Sequence, residues 1–220
     1  DRFGKKPLYF YHTDTDFIFS SELKGILAHT DLHINTTDNI DADAVDFYFS
    51  MGNIPAPLTI YKNISKLEAW HNILLTLEQW KLVLKKSQYY TLPSYSPLLD
   101  RRLLIEEGRS LLDNATKIRM FSADVPVWAF LSGGLDSSSV VAMMTKYTEK
   151  SKLHTFSIGF EGKYDETKYI DIVKEAFWTN HHHKYFCEDD FCDMLDIFAH
   201  TYDEPFADVS GFPTLFVSKL

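Results

Sequence analysis

Leu131, Ser132, Gly133, Gly134, Leu135, Asp136, Ser137 and Ser138 follow one another between an apolar run at 125–131 and a helical run at 139–147. Strand, small-residue turn and helix start in that order leave few folds open. The glycines let the backbone approach a ligand, and the first N–H groups of the helix point outward unpaired. The helix dipole then favours negative charge at that end. An anion the size of a phosphate group fits such a loop, and Asp136 inside it is placed to hold a magnesium ion that bridges phosphates. The segment is not the common nucleotide loop, because it lacks G-x-x-x-x-G-K-[ST] and so has no loop lysine; nor is it G-x-G-x-x-G. The plain alternative is a glycine-rich turn between a strand and a helix.

The rest of the chain fits an α/β protein. Of its 220 residues 45% are hydrophobic, enough for a real core. Net charge is −9 and the basic residues are scattered, which argues against nucleic acid or an acidic membrane as partner. No apolar run approaches the ~20 residues of a membrane helix. Cys187 and Cys192 are too few for a disulfide framework and fit no zinc spacing, so a reduced, cytoplasmic setting is expected.

Residues 7–11 and 16–20 read as paired strands, 22–29 as a short helix, and Asp41 as the cap of another helix that Pro55 and Pro57 terminate. Residues 73–77 and 81–84 read as a hairpin, and 87–100 as a linker. The period then turns helical, with Leu103, Leu104, Leu111, Leu112, Ala115 and Ile118 on one face. Strands at 125–131, 153–160 and 183–186 alternate with helices at 136–147, 165–177, 189–200 and 213–220. That alternation predicts a parallel sheet covered by helices, with its ligand at the carboxyl ends of the strands. The loop at 131–138 and the stretch after Ile158 both lie at such ends.

Taken whole, the loop resembles the pyrophosphate loop of the ATP pyrophosphatase superfamily, whose members split ATP into AMP and pyrophosphate. Other stretches narrow the resemblance to the glutamine-hydrolysing asparagine synthases. Residues 1–9 (Asp-Arg-Phe-Gly-Lys-Lys-Pro-Leu-Tyr), Ser21-Glu22-Leu23-Lys24, 52–57 (Gly-Asn-Ile-Pro-Ala-Pro) and Thr59-Ile60-Tyr61-Lys62 are similar to the late part of that family's glutaminase domain. Residues 122–127 (Ser-Ala-Asp-Val-Pro-Val), 155–160 (Thr-Phe-Ser-Ile-Gly-Phe), Tyr164-Asp165-Glu166, 203–208 (Asp-Glu-Pro-Phe-Ala-Asp) and Pro213-Thr214 follow in the order of its synthetase domain.

The resemblance implies the end of an N-terminal-nucleophile glutaminase α+β domain at 1–86, a linker at 87–100, and the first part of a Rossmann-like ATP pyrophosphatase domain at 101–220. It implies an ATP-dependent, amide-forming ligase. Glutamine supplies ammonia, aspartate is activated as aspartyl-AMP, and asparagine is released; a homodimer would suit the family. By position Ser132, Gly133, Gly134, Asp136, Ser137 and Ser138 hold the pyrophosphate of ATP, Asp136 also holds Mg2+, and Leu131 and Ile158 line the adenosine site. The family's nucleophile, a cysteine at the mature N-terminus, and its second ATP loop are expected before Asp1 and after Leu220. The chain is therefore expected to be an internal fragment without catalytic residues of its own, inactive alone. Rival readings are a related amidotransferase with another acyl substrate, a tRNA-thiolating or GMP- or NAD-forming ATP pyrophosphatase, and a degenerate non-catalytic paralogue.

Other candidates carry less. Asp165 and Glu166 as metal ligands compete with simple complementing of a helix dipole. Asp203, Glu204 and Asp208 flank a proline-containing loop that in the family lies near the acyl substrate; a solvated acidic turn is the alternative. His181, His182 and His183 look like a metal tract, but consecutive strand residues point to opposite faces and cannot converge, so a structural role is expected.

All four tryptophans occupy places that favour glycine. Trp80 sits in the hairpin turn, Trp178 just past a helix end, and Trp128 on the strand feeding the loop, while Trp70 matches a Pro-Gly-His-type turn of the family. Glycine is scarce, at 9 of 220 residues against a usual ~7%. The expectation is glycine at all four, through a UGA codon that one genetic code reads as glycine and another as tryptophan. The alternative is four independent substitutions.

Overall fold

A computed structural model describes residues 1–30, 32, 37–94, 100–160 and 166–220. The chain divides into two compact units, Asp1–Ser94 with Ala199–Asp208, and Tyr95–Phe198 with Val209–Leu220.

In the first unit, strands β1 (Tyr9–His12), β2 (Phe17–Ser20) and β3 (Ile64–Lys66) form an antiparallel sheet in the order β2-β1-β3. Helix α1 (Leu23–Leu27) lays Leu23 and Ile26 against Ile64, all fully buried, with Tyr9, Tyr11 and Ile18 around them. Helix α2 (Ala42–Met51) starts where the Asp41 carboxylate accepts the Asp43 and Ala44 N–H groups, at 2.9 and 3.4 Å. It ends on Gly52, whose φ of 75° is the left-handed cap that glycine adopts without strain. Strands β4 (His71–Glu78) and β5 (Lys81–Gln88) pair through their whole length. The hairpin is longer than the apolar runs alone suggest because polar residues 85–88 stay in register with 71–74.

The second unit begins with α3 (Arg101–Phe121) and continues as β6 (Ala129–Phe130), α4 (Leu135–Met144), β7 (His154–Phe160), α5 (Thr167–Phe177), β8 (Asn180–Phe186), α6 (Glu188–Thr201) and α7 (Gly211–Val217), where the last residues of α6 pass into the first unit. The three strands are parallel in the order β6-β7-β8, with crossover helices between them. The core under the sheet is Leu131, Val141, Met144, Leu153 and Ile170.

Two expectations need correction. The strand expected at 125–131 pairs only at Ala129 and Phe130, although the Leu131 N–H still reaches the Phe156 carbonyl at 2.7 Å. Pro126 has no N–H to give to a ladder. The strand expected at 183–186 begins at Asn180, because β7 pairs with it from His154 onward and overrides the weak strand preference of Asn and His. On α3 only Thr116 is buried, and Leu103, Leu111 and Ile118 of the apolar face stay about half exposed or more.

Candidate functional site

Leu131, 1% exposed, follows β6 directly and anchors the loop in the core. Gly133 then turns the chain at φ 76°. It also lies so close to α5 that an added Cβ would come within 2.8 Å of the Tyr169 Cβ and 3.0 Å of the Ile170 nitrogen. Glycine is needed here for two separate reasons, backbone region and clearance.

The serines tie the loop to itself. The Ser137 hydroxyl accepts the Ser132 N–H at 3.2 Å and lies 3.0 Å from the Ser132 hydroxyl. The Ser132 hydroxyl in turn accepts the Gly134 N–H at 3.3 Å. The Ser138 hydroxyl donates to the Gly134 carbonyl at 2.7 Å. Gly134 is the N-cap of α4 and has no side chain to cap it. Helix geometry leaves the N–H groups of Leu135, Asp136 and Ser137 without intrahelical partners, and the first backbone bond closes at Ser138. An anion placed there meets three free donors and the positive end of a helix.

Asp136 stands in the first turn of α4, exposed, on the same rim. Among the described residues no group of three or more His, Cys, Asp or Glu side chains could hold a metal ion. A lone carboxylate beside free N–H groups suits a divalent cation that shares its ligands with phosphate oxygens, which is how Mg2+ is usually held at a polyphosphate. The residues present fit such a pair.

Next to the loop a cleft of about 230 Å3 is lined by Phe130, Leu131, Ser132, Ile158, Glu166 and Thr214, among others. It brings together Leu131, Ser132 and Ile158, three residues singled out in the sequence, and places Glu166 on its wall. Asp165 lies outside the described residues. Phe130 from β6 carries no local motif, whereas Thr214 from α7 belongs to the Pro213-Thr214 stretch noted in the sequence.

Asp203 and Glu204 belong to the first unit and are held within it. Glu204 accepts the Ile60 N–H at 2.8 Å and the Lys66 ammonium at 2.6 Å, and Asp203 accepts the Lys24 N–H and ammonium at 3.2 and 3.1 Å. Their side chains are 11% and 10% exposed, so this is no solvated acidic turn. Burial and the Glu204 charge raise the Tyr9 phenol well above its usual pKa. No local pattern announces Lys66 and Ile60 as partners of a segment so far along the chain.

The histidines alternate across β8. The Ser157 hydroxyl lies 2.9 Å from the His181 Nε2 and 2.7 Å from the His183 Nδ1, and the Thr155 hydroxyl is 2.9 Å from the His181 Nδ1. His182 instead stacks on Phe156 and meets the His154 Nδ1 at 2.8 Å. Burial, with Lys174 nearby, pulls the His181 pKa down to about 4. Cys187 and Cys192 are free thiols on the surface. No helix of the described residues is long and apolar enough to cross a membrane.

A family profile described as asparagine synthase matches residues 107–220, and one described as a glutamine amidotransferase domain matches residues 1–90. The chain is 57% identical over its whole length to a putative glutamine-hydrolysing asparagine synthetase 2 of Methanocaldococcus jannaschii, of which it covers 42%. It is 32% identical over 89% of its length to the glutamine-hydrolysing asparagine synthetase 3 of Bacillus subtilis, covering 33% of that protein. The asparagine synthetase 1 of the same organism is 29% identical over 100% of the chain and is again covered to 33%. The chain thus spans less than half the length of these relatives.

Proposed function

Because this chain belongs to the asparagine synthase family, we propose that its 131–138 loop binds the pyrophosphate portion of ATP in a glutamine-dependent, amide-forming ligase that makes asparagine from aspartate through aspartyl-AMP. The observation that carries this reading is the uncapped start of α4, with three N–H groups open beside Asp136. The parallel β6-β7-β8 sheet with crossover helices fits the first half of a Rossmann-like ATP pyrophosphatase domain. We assign the synthetase part to 101–220 and the end of the glutaminase part to 1–86.

In this reading the N–H groups of Leu135, Asp136 and Ser137 and the hydroxyls of Ser132, Ser137 and Ser138 orient the β- and γ-phosphates. Leu131 and Ile158 pack beside the adenosine, and Asp136 holds Mg2+. The metal supplies charge neutralisation on the leaving pyrophosphate. Attack of a carboxylate on the α-phosphate needs little covalent help from the protein; position and fixed dipoles suffice. Gly133 supports the loop's shape, since its φ of 76° and its closeness to α5 leave no room for a side chain.

The test is product analysis on the protein that carries this chain. It should release AMP and pyrophosphate from ATP only when aspartate is present, and form asparagine with glutamine or ammonia. Asp136→Asn should remove that activity. Release of ADP and phosphate, or AMP formation indifferent to aspartate, would sink the reading.

A further inference from the structure

Among the described residues four that are not glycine have positive φ, and three of them are tryptophans: Trp70 at 70°, Trp80 at 65° and Trp178 at 55°; the fourth is Gln79 at 49°. The whole chain has only four tryptophans. Non-glycine residues of all kinds occupy this region a few per cent of the time, and for a bulky side chain it is a true outlier. Three tryptophans of four there by chance has a probability of about 1 in 10,000 on that frequency.

Each position is part of a backbone device that favours glycine. Gln79 and Trp80 are the two residues between β4 and β5, both with positive φ. A two-residue hairpin loop of that kind is the type I′ turn, whose second position is typically glycine. Trp178 caps α5 at φ 55° and ψ 42°, and the same left-handed cap on α2 is filled by Gly52. Trp70 turns the chain immediately before β4, with its N–H on the Asp1 carbonyl at 3.1 Å and its carbonyl accepting the Tyr89 N–H at 2.8 Å.

The indoles give nothing that would hold such a backbone. Trp80 is 89% exposed and Trp178 is 76% exposed. The Trp70 Nε1 is buried and finds no hydrogen-bond partner among the described residues. Its ring meets Tyr90 only edge-on, at 6.3 Å. An L side chain is therefore disfavoured at all three sites by the backbone and required at none by packing.

We propose that positions 70, 80 and 178 carry glycine in the protein as its source makes it, a UGA codon being read there as glycine. Trp128 stands apart. Its φ is not positive, and its ring lies 5.2 and 5.3 Å from those of His154 and Phe156, so nothing in the backbone at 128 calls for glycine. The claim is independent of the functional reading above, since it rests on backbone geometry outside the nucleotide loop.

Two measurements test it. The first is the gene sequence at the three codons together with mass spectrometry of the corresponding peptides from the natural source. UGA at all three with glycine-mass peptides is expected. UGG at any of the three, or peptides of tryptophan mass, overturns the proposal. The second compares the full chain with its Trp70→Gly, Trp80→Gly, Trp178→Gly variant. The glycine form should melt at a higher temperature; an equal or lower midpoint counts against glycine as the fitting residue.

Discussion

Lys66 Nζ lies 2.6 Å from one oxygen of Glu204, while the other oxygen of that carboxylate accepts the Ile60 N–H at 2.8 Å. Both side chains are less than a fifth exposed, and Lys66 also donates to the Ile54 carbonyl at 2.8 Å. A pair so shielded behaves unlike a surface ion pair. Loss of one member leaves the other charge without its partner in a poor dielectric. Glu204→Ala should therefore destabilise the first unit by about 3 kcal/mol, whereas an exposed pair contributes about 0–1 kcal/mol. Urea unfolding of the variant reads this directly. A loss under 1 kcal/mol would mean that the segment 199–208 is held by its apolar contacts instead.

His181 sets a pH window. Its pKa falls from the usual 6.5 to about 4 because burial, then the Lys174 charge, disfavours the imidazolium; Asp171 opposes weakly, and Thr155, Ser157 and His183 face the ring. The folded state thus binds fewer protons than the unfolded chain between those values. The contribution to stability is complete above pH 6.5 and is lost as pH falls toward about 4. His181→Gln should flatten the pH dependence of the unfolding midpoint in that window. Identical slopes in parent and variant would assign the acid sensitivity to other groups.

Gly133→Ala tests the loop. The new methyl would meet the Tyr169 Cβ at 2.8 Å and backbone at 3.0 Å, at a φ of 76°. The strain of such a residue is about 1–3 kcal/mol, and α5 has to shift as well. Nucleotide binding should fall at least tenfold, a difference of about 1.4 kcal/mol, measured by calorimetry with Mg-ATP. Undiminished binding would place the phosphates elsewhere.

Trp178→Gly should stabilise the chain. Relief of left-handed strain contributes about 1–3 kcal/mol, and the added freedom of glycine in the unfolded chain offsets about 0.4–1 kcal/mol. With the indole 76% exposed, little packing is lost. The expected net gain is about 1 kcal/mol by chemical denaturation. A variant less stable than its parent would show that the ring packs against something after all.

Local chemistry in the sequence determined a good deal of this molecule. The alternation of apolar runs and turns marks the parallel unit, Asp41 marks the start of α2, and the Ser-Gly-Gly-Leu-Asp-Ser-Ser run marks the loop between β6 and α4, because capping and chain reversal depend on neighbours a few residues apart. The glycine-like character of positions 70, 80 and 178 was legible for the same reason, since turn and cap geometry is local. Tertiary structure alone decided what distant residues do to one another. Pairing with β7 draws Asn180 into β8 and leaves β6 with two residues. Packing of α5 makes Gly133 a matter of clearance as well as of φ. Asp203 and Glu204, which resemble substrate-loop acids when read in line, are taken up by Lys24, Lys66 and the Ile60 amide. A carboxylate in a sequence carries no record of which buried cation it will meet, because that choice is made by the fold's desolvation of both partners at once.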